Sequence, residues 1–101
     1  MNKIFSMVGL ATRAGKTVAG EFSVEKAVKT GKAFLVLVSQ DASDNTKKLF
    51  LNKCKHYQIP VFVYGSKEEL GNSTGNGERA SIAIMDEGFS RTIINLLEDN
   101  H

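Results

Sequence analysis

The sequence has very little cysteine, proline or tryptophan: its 101 residues include one cysteine, one proline and no tryptophan. A single cysteine excludes a disulfide framework within the chain and is typical of a reducing compartment, so we expect a cytoplasmic protein. No apolar run approaches the roughly 20 residues that a membrane span requires, and no basic N-terminal region precedes an unbroken apolar segment. We therefore expect a soluble protein that is not exported and has no membrane partner.

Residues that could perform catalysis or hold a metal ion are also scarce. The two histidines, His56 and His101, have no metal-ligand spacing to Cys54 or to each other. Cys54 falls on the apolar face of a predicted helix, where a small buried hydrophobe is favoured over a nucleophile. The sequence therefore predicts no enzyme, no cofactor and no metal site.

Positive charge is concentrated in the first part of the chain. Residues 1–40 carry six lysine or arginine residues against two glutamates, whereas the remainder carries seven basic against nine acidic residues. A confined basic patch on an otherwise balanced molecule suits a polyanionic partner. The alternative is that the lysines only keep helix surfaces hydrated, and charge alone does not decide between the two.

The segment at residues 13–21 looks like a phosphate-binding loop but has the wrong spacing. A P-loop needs the pattern G-x-x-x-x-G-K-[ST] after a strand, whereas Gly9 stands one residue too far from Gly15. The residues before the loop have helical periodicity, so a helix rather than a strand enters it. One alternative nevertheless stays open, a phosphate- or nucleotide-binding enzyme that uses Gly15-Lys16-Thr17 with Asp41 or Asp86.

The two aspartates of that alternative follow predicted strands. Sites in doubly wound sheets gather beyond the carboxyl ends of strands, so a phospho-acceptor or a magnesium site is conceivable at Asp41 or Asp86. The competing interpretation, which we favour, is that each aspartate stabilises the N-terminal end of the helix that follows it.

Apolar periodicity predicts an alternation of helices and strands in a single domain, residues 1–101. Helices are expected over 2–12 and 20–30, from Ser43 to about Tyr57, from Ser66 to Gly71, and around 89–97; strands over 17–19, 34–38, 61–64 and 81–85. The run at 34–38 is continuously apolar, which predicts a strand buried on both faces. This order predicts an α/β protein, a three-layer α/β/α sandwich around a small, partly parallel sheet.

Five blocks of sequence, in order along the chain, resemble a known family. They are Arg13-Ala14-Gly15-Lys16 with Gly20-Glu21 and Val24-x-Lys26-Ala27-Val28-x-x-Gly31-x-Ala33-x-Leu35-Val36; Asp41-Ala42-Ser43-x-Asn45-Thr46-Lys47-Lys48; Cys54-x-x-Tyr57-x-Ile59-Pro60-Val61; Lys67-Glu68-Glu69-Leu70-Gly71; and Asp86-Glu87-Gly88-Phe89. Together they resemble the kink-turn RNA-binding family of archaeal and eukaryotic ribosomal proteins, and its bacterial YlxQ branch in particular.

The resemblance implies a four-stranded mixed sheet, no catalysis, and binding to structured RNA that bends sharply at tandem sheared G·A pairs, possibly ribosomal RNA. In the family, a Gly-x-Asn-Glu-x-x-Lys motif at the start of the second helix and an apolar loop before the last strand meet the RNA. This sequence matches the motif at Gly20 and Lys26, but Phe22 stands where Asn is usual and Ser23 where Glu is usual. We expect these departures to weaken or retune binding by a monomeric protein.

The predicted RNA-binding surface combines that motif with the nearby basic residues and the loop over 76–81. Its residues are Lys16, Gly20, Glu21, Phe22, Ser23, Lys26, Lys29, Arg79, Ala80 and Ser81. Phe22 either stacks on a splayed base or packs inward, and we predict burial as the more frequent behaviour. We assign Ile82 to the core. A protein-interaction module that kept the fold and lost RNA binding remains a further alternative.

Overall fold

Five helices alternate with four short strands in the computed structural model, which describes residues 2–99. Their order is α1 (Lys3–Arg13), β1 (Thr17–Ala19), α2 (Glu21–Lys29), β2 (Leu35–Val38), α3 (Asp44–Tyr57), β3 (Val61–Val63), α4 (Lys67–Ser73), β4 (Ser81–Ile84) and α5 (Glu87–Asp99). His101 lies outside the described residues. Among residues 2–99, no helix has the length and apolar character needed to cross a membrane.

The four strands form one mixed sheet in the order β1-β4-β2-β3. β4 pairs antiparallel with both β1 and β2, so that Ala83 lies between Val18 on one side and Val36 on the other. β2 and β3 run parallel, with Leu37 opposite Phe62. The last strand of the chain therefore lies inside the sheet, and the short β1 forms an edge.

Helices cover both faces of this sheet, because its central strands alternate apolar side chains between the two sides. Leu35 and Leu37 of β2 pack in one cluster with α1, α4 and α5, whereas Val36 and Val38 pack in a second cluster with α2 and α3. All four residues are fully buried. The predicted three-layer α/β/α sandwich with a four-stranded mixed sheet is confirmed.

Three details of the predicted elements are wrong. Phe34 precedes β2 and is 41% exposed, so the doubly buried run begins at Leu35. Tyr57 ends α3 and is exposed, whereas it was expected on the buried face. The helix expected to stop at Gly71 continues to Ser73, because that glycine packs against the backbone of the next loop instead of ending the helix.

Gly71 in α4 has no room for a side chain, because the backbone of the following loop packs directly against it. A Cβ built on it would overlap the carbonyl group of Gly77. We predict that Gly71→Ala lowers the free energy of unfolding by about 1 to 3 kcal/mol, because the loop before β4 must move away from α4. Urea unfolding of both proteins measures the change.

Gly9→Ala in α1 is the matched control. There the added Cβ would make only an ordinary contact, 3.8 Å from the carbonyl oxygen of Ser73. Because glycine inside a helix is less favourable than alanine, this variant should be more stable by roughly 0.5 to 1 kcal/mol. Equal effects of the two substitutions would show that the loop does not depend on close contact at Gly71.

Cys54 lies in the cluster between the sheet and α3, and its side chain is fully buried. Loss of solvation raises the pKa of its thiol to about 11. Since the thiolate is the reactive form, we predict that Cys54 resists a disulfide reagent at pH 8 in the folded protein and reacts at the normal rate in denaturant. Fast labelling of the folded protein would contradict the packing role.

Candidate nucleic-acid interface

The bend between α1 and β1 cannot act as a phosphate-binding loop. Gly15 has φ +72°, and its N–H donates to the Thr12 carbonyl at 2.9 Å, while the N–H of Lys16 donates to the Ala11 carbonyl at 2.9 Å. This pair of bonds is the Schellman ending of a helix. The backbone donors that a P-loop would turn toward a phosphate are thus already bound, which removes the physical basis of the nucleotide-binding alternative.

Gly20 places the start of α2 at the edge of the sheet. Its backbone has φ +96° and ψ 154°, a region that residues with a Cβ rarely adopt. Its N–H donates to the Ser81 carbonyl at 2.9 Å, and its own carbonyl accepts the first helical bond, from Val24. Gly20 therefore turns the chain from β1 into α2 while it remains attached to β4.

The N-terminus of α2 has no side-chain cap. By contrast, side-chain oxygens of Asn2, Ser43, Ser66 and Asp86 cap α1, α3, α4 and α5. Within residues 2–99, the backbone N–H groups of 21–23 have no hydrogen-bond partner. Free N–H groups and the positive end of the helix dipole make such a terminus a binding site for anions.

The loop before β4 lies beside this terminus because three backbone hydrogen bonds hold it. The N–H of Arg79 donates to the Lys67 carbonyl at 3.0 Å, and the N–H of Ser39 donates to the Ala80 carbonyl at 2.9 Å. The bond from Gly20 to Ser81 is the third. The predicted pairing of the α2 terminus with residues 76–81 is therefore a real juxtaposition in the fold.

Arg79 is the cation that this loop brings to α2. Its Cδ lies 3.9 Å from the place where a Cβ of Gly20 would stand, so the absence of a side chain at Gly20 leaves the arginine room beside the helix. Its Nη1 donates to the carbonyl of the preceding residue, Glu78, at 2.9 Å. The remaining guanidinium donors are available to a ligand with phosphate oxygens.

The predicted lysines lie at different distances from the terminus. Lys26 is exposed on α2 and forms no ion pair with the described residues, whereas Nζ of Lys29 lies 3.3 Å from a carboxylate oxygen of Glu25. Lys16 was expected near the start of α2, which is wrong: it precedes β1, four residues or about 13 Å of extended chain before Gly20. There its carbonyl accepts from Met85 at 2.7 Å.

The prediction that Phe22 is buried is wrong. Its side chain is 81% exposed, the largest exposure among the big hydrophobic residues of the described chain. The buried face of α2 is formed by Val24, Ala27 and Val28, and two residues of helix turn Phe22 about 200° away from Val24. Its neighbours Glu21 and Ser23 are exposed as well.

Two residues of the predicted loop contact face inward. Ser81 is 1% exposed and its hydroxyl has no hydrogen-bond partner, so only its backbone contributes, by holding Gly20. Ala80 is half-buried against the cluster under α2, and Ile82 is in the core as predicted. The accessible part of this loop is thus the side chain of Arg79 together with the exposed Gly77 and Glu78.

Asp41, which is not among the predicted RNA-binding residues, binds the residue that holds the Arg79 loop. Its Oδ1 accepts from the N–H of Lys67 at 2.9 Å, so it stabilises the start of α4 and not, as expected, the start of α3. Desolvation raises the pKa of Asp41, but the hydrogen-bond donors around its carboxylate, the Lys67 amide first among them, together with the Lys67 ammonium lower it more, so the pKa lies below the ordinary 3.8. Neither the role of Asp41 nor that of Lys67 has a local sequence signal, because 26 residues separate them.

Asp86 behaves as expected of a capping residue. Its Oδ2 accepts from the N–H of Phe89 at 2.8 Å in the first turn of α5. Because β2 and β4 are antiparallel, their carboxyl ends point in opposite directions, and Asp41 and Asp86 lie beyond opposite ends of the strands. Among the described residues, no group of three or more His, Cys, Asp or Glu side chains could hold a metal ion.

Together, fold and site define a three-layer α/β/α protein with an uncapped, positively flanked helix terminus at one edge of its sheet. Residues 2–94 match the model of the Ribosomal protein L7Ae/L30e/S12e/Gadd45 family, and the chain belongs to this family. The resemblance found in the sequence blocks is thereby confirmed.

Individual relatives agree with this assignment. The chain is 42% identical over 94 residues to the "RNA-binding protein YlxQ" of Bacillus subtilis, covering 93% of this chain and 94% of that protein. A solved structure of a protein with unknown function from Bacillus halodurans has a TM-score of 0.93 and 45% identity, with 97% and 99% of the two chains covered. The Giardia lamblia 15.5kD RNA binding protein shares the fold, with a TM-score of 0.79 at 20% identity over 94% of this chain and 82% of that one.

The bond between Asp41 and Lys67 gives a test of how the site is held. We predict that Asp41→Ala speeds hydrogen exchange of the Lys67 amide, measured by NMR, because that amide loses its acceptor. In the unchanged protein, the lowered pKa means that this stabilisation is present above pH 3.8 and is lost as the pH falls through the lowered value. Asp44→Ala, which removes an exposed carboxylate from the first turn of α3, should leave the Lys67 amide unchanged.

Proposed function

We propose that this chain is a non-catalytic RNA-binding protein of the ribosomal-protein type that recognises kink-turn or similarly bent RNA. It acts in the cytoplasm as a monomer built from one domain. The observation that carries the proposal is the uncapped N-terminus of α2 held beside Arg79. Membership of a ribosomal-protein family and the name of the Bacillus subtilis relative support it.

The backbone of the RNA supplies the anion that α2 lacks. A phosphate at the free N–H groups of 21–23 completes the first turn of the helix. Arg79 and Lys26 flank this position, with Lys29 and Lys16 as more distant sources of positive charge. Such contacts give affinity but carry no sequence information. Specificity then comes from shape, since both α2 and the Arg79 loop meet the RNA only if its backbone bends around the edge of the sheet.

Phe22 and Ser23, which replace the usual Asn and Glu, change the contacts that the protein can make with the RNA bases. Ser23 and Glu21 are exposed and supply hydrogen-bonding oxygens at the helix terminus, whereas Phe22 offers a ring and no hydrogen bond. Each hydrogen bond to a base that is lost in this way costs about 1 to 3 kcal/mol. Binding is therefore weaker, or tuned to a different RNA, than in relatives that keep the Asn-Glu pair.

A gel-shift titration tests shape recognition. The protein is titrated with a kink-turn duplex and with the same duplex after its G·A pairs are changed to Watson–Crick pairs, at two salt concentrations. We predict tighter binding to the kink-turn at both, because the straight duplex cannot reach both elements. Equal affinity for the two duplexes would leave only nonspecific electrostatic binding.

Reversal of one charge tests whether the RNA binds at α2. We predict that Lys26→Glu abolishes the gel shift, because it places a carboxylate among the phosphates on the exposed side of α2. Lys3→Glu, the same change on α1 behind the opposite face of the sheet, should leave binding almost unchanged. If both variants bind like the unchanged protein, the α2 surface is not the RNA site. If the unchanged protein itself gives no gel shift, a protein-interaction module that lost RNA binding is the better description.

A further inference from the structure

A groove between α2 and the edge strand β1 begins at the exposed ring of Phe22. It encloses about 340 Å³, and the apolar side chains of Val18 and Met85 line it. Lys26 borders the groove from the middle of α2, and Lys32 borders it beyond the end of that helix. The groove thus combines an accessible aromatic face, an apolar lining and two ammonium groups along about the length of α2.

The charge of the groove suits an anion. No carboxylate lines it, and neither lysine forms an ion pair with the described residues. A smaller depression of about 240 Å³ lies on the other side of Phe22, and there Glu25 is part of the lining and pairs with Lys29 and Lys53. An anionic ligand is therefore favoured on the β1 side of the phenylalanine.

The groove is continuous with the RNA-binding terminus of α2. Phe22 belongs to the first turn, and helical side chains lean toward the N-terminus of their helix, so its ring lies at the same end as the free N–H groups of 21–23. A nucleotide bound next to a phosphate at that terminus has its base within reach of the ring.

We propose that an unstacked nucleobase of the bound RNA lies in this groove with its face against Phe22, and that Lys26 and Lys32 hold the adjoining phosphates. The inference rests on the proposed function and adds a base-binding site to it. One nucleotide matches both halves of the groove, because its base supplies a π face for the ring and its phosphate supplies charge for the lysines. Stacking of this kind accepts any of the four bases.

Substitution of Phe22 tests the stacking. With the kink-turn duplex as probe, Phe22→Ala should weaken binding about 5- to 150-fold, the loss typical of one stacked base. Phe22→Trp should retain the affinity of the unchanged protein. Since the side chain is 81% exposed, neither variant disturbs the core, and circular dichroism checks this.

The tryptophan variant also reports the position of the base. The chain contains no tryptophan, so Phe22→Trp provides a single fluorophore whose emission should be quenched when the duplex binds. Leu10→Trp, at a half-exposed position on α1 behind the opposite face of the sheet, is the matched control and should not respond. Similarly, Lys32→Ala should reduce the salt dependence of binding by about one phosphate contact, and Lys3→Ala should not.

The outcomes separate the two proposals. Suppose that the unchanged protein and Phe22→Ala bind the kink-turn duplex equally well, and that the fluorescence of Phe22→Trp does not change. The groove is then not a base site, while the RNA-binding function stands. If the unchanged protein binds neither duplex, the function fails and the base site fails with it. Weakened binding of Phe22→Ala together with quenching at position 22 supports both.

Discussion

The site depends on one backbone hydrogen bond, from the N–H of Gly20 to the carbonyl of Ser81. This bond extends the pairing of β1 with β4 by one residue and fixes where α2 begins. Gly20 makes the turn with φ +96°, which costs little only without a Cβ. Because β4 lies inside the sheet, the loop before it is held from both sides, and the helix terminus and Arg79 meet at one edge.

The protein leaves α2 incomplete while it completes the other helices of the described chain. Compared with glycine at the N-cap, a side-chain cap stabilises a helix by only about a few tenths of a kcal/mol, and α2 lacks this contribution at the end that faces the basic residues. In the proposed complex a bound phosphate takes the place of the missing cap, so the same feature that weakens the free helix favours the complex. The fold is stabilised mainly by the two apolar clusters on the two faces of the sheet, so it does not depend on a cap at α2.

Much of the fold was predictable from the sequence, because periodicity, glycines and capping residues act locally. The apolar run over 34–38 identified a central strand, although the strand begins one residue later, and Gly15 and Gly20 marked the bend between two helices. Side-chain placement was harder where it depends on long-range contacts: Asp41 caps α4 across 26 residues, and Lys16 lies a strand's length from the terminus it was expected to surround. Phe22 was misassigned because hydrophobicity suggested burial, although its helical position relative to Val24 pointed outward.

The most direct test concerns the three amides at the start of α2. Their N–H groups have no partner in the free protein within the described residues, and RNA phosphate is the partner that we propose for them. NMR titration with a kink-turn duplex should shift the amide signals of Glu21, Phe22 and Ser23 strongly and protect them from hydrogen exchange. If these amides stay unchanged while signals from α1 or α5 shift, RNA binds the other face of the protein and the start of α2 is not its binding site.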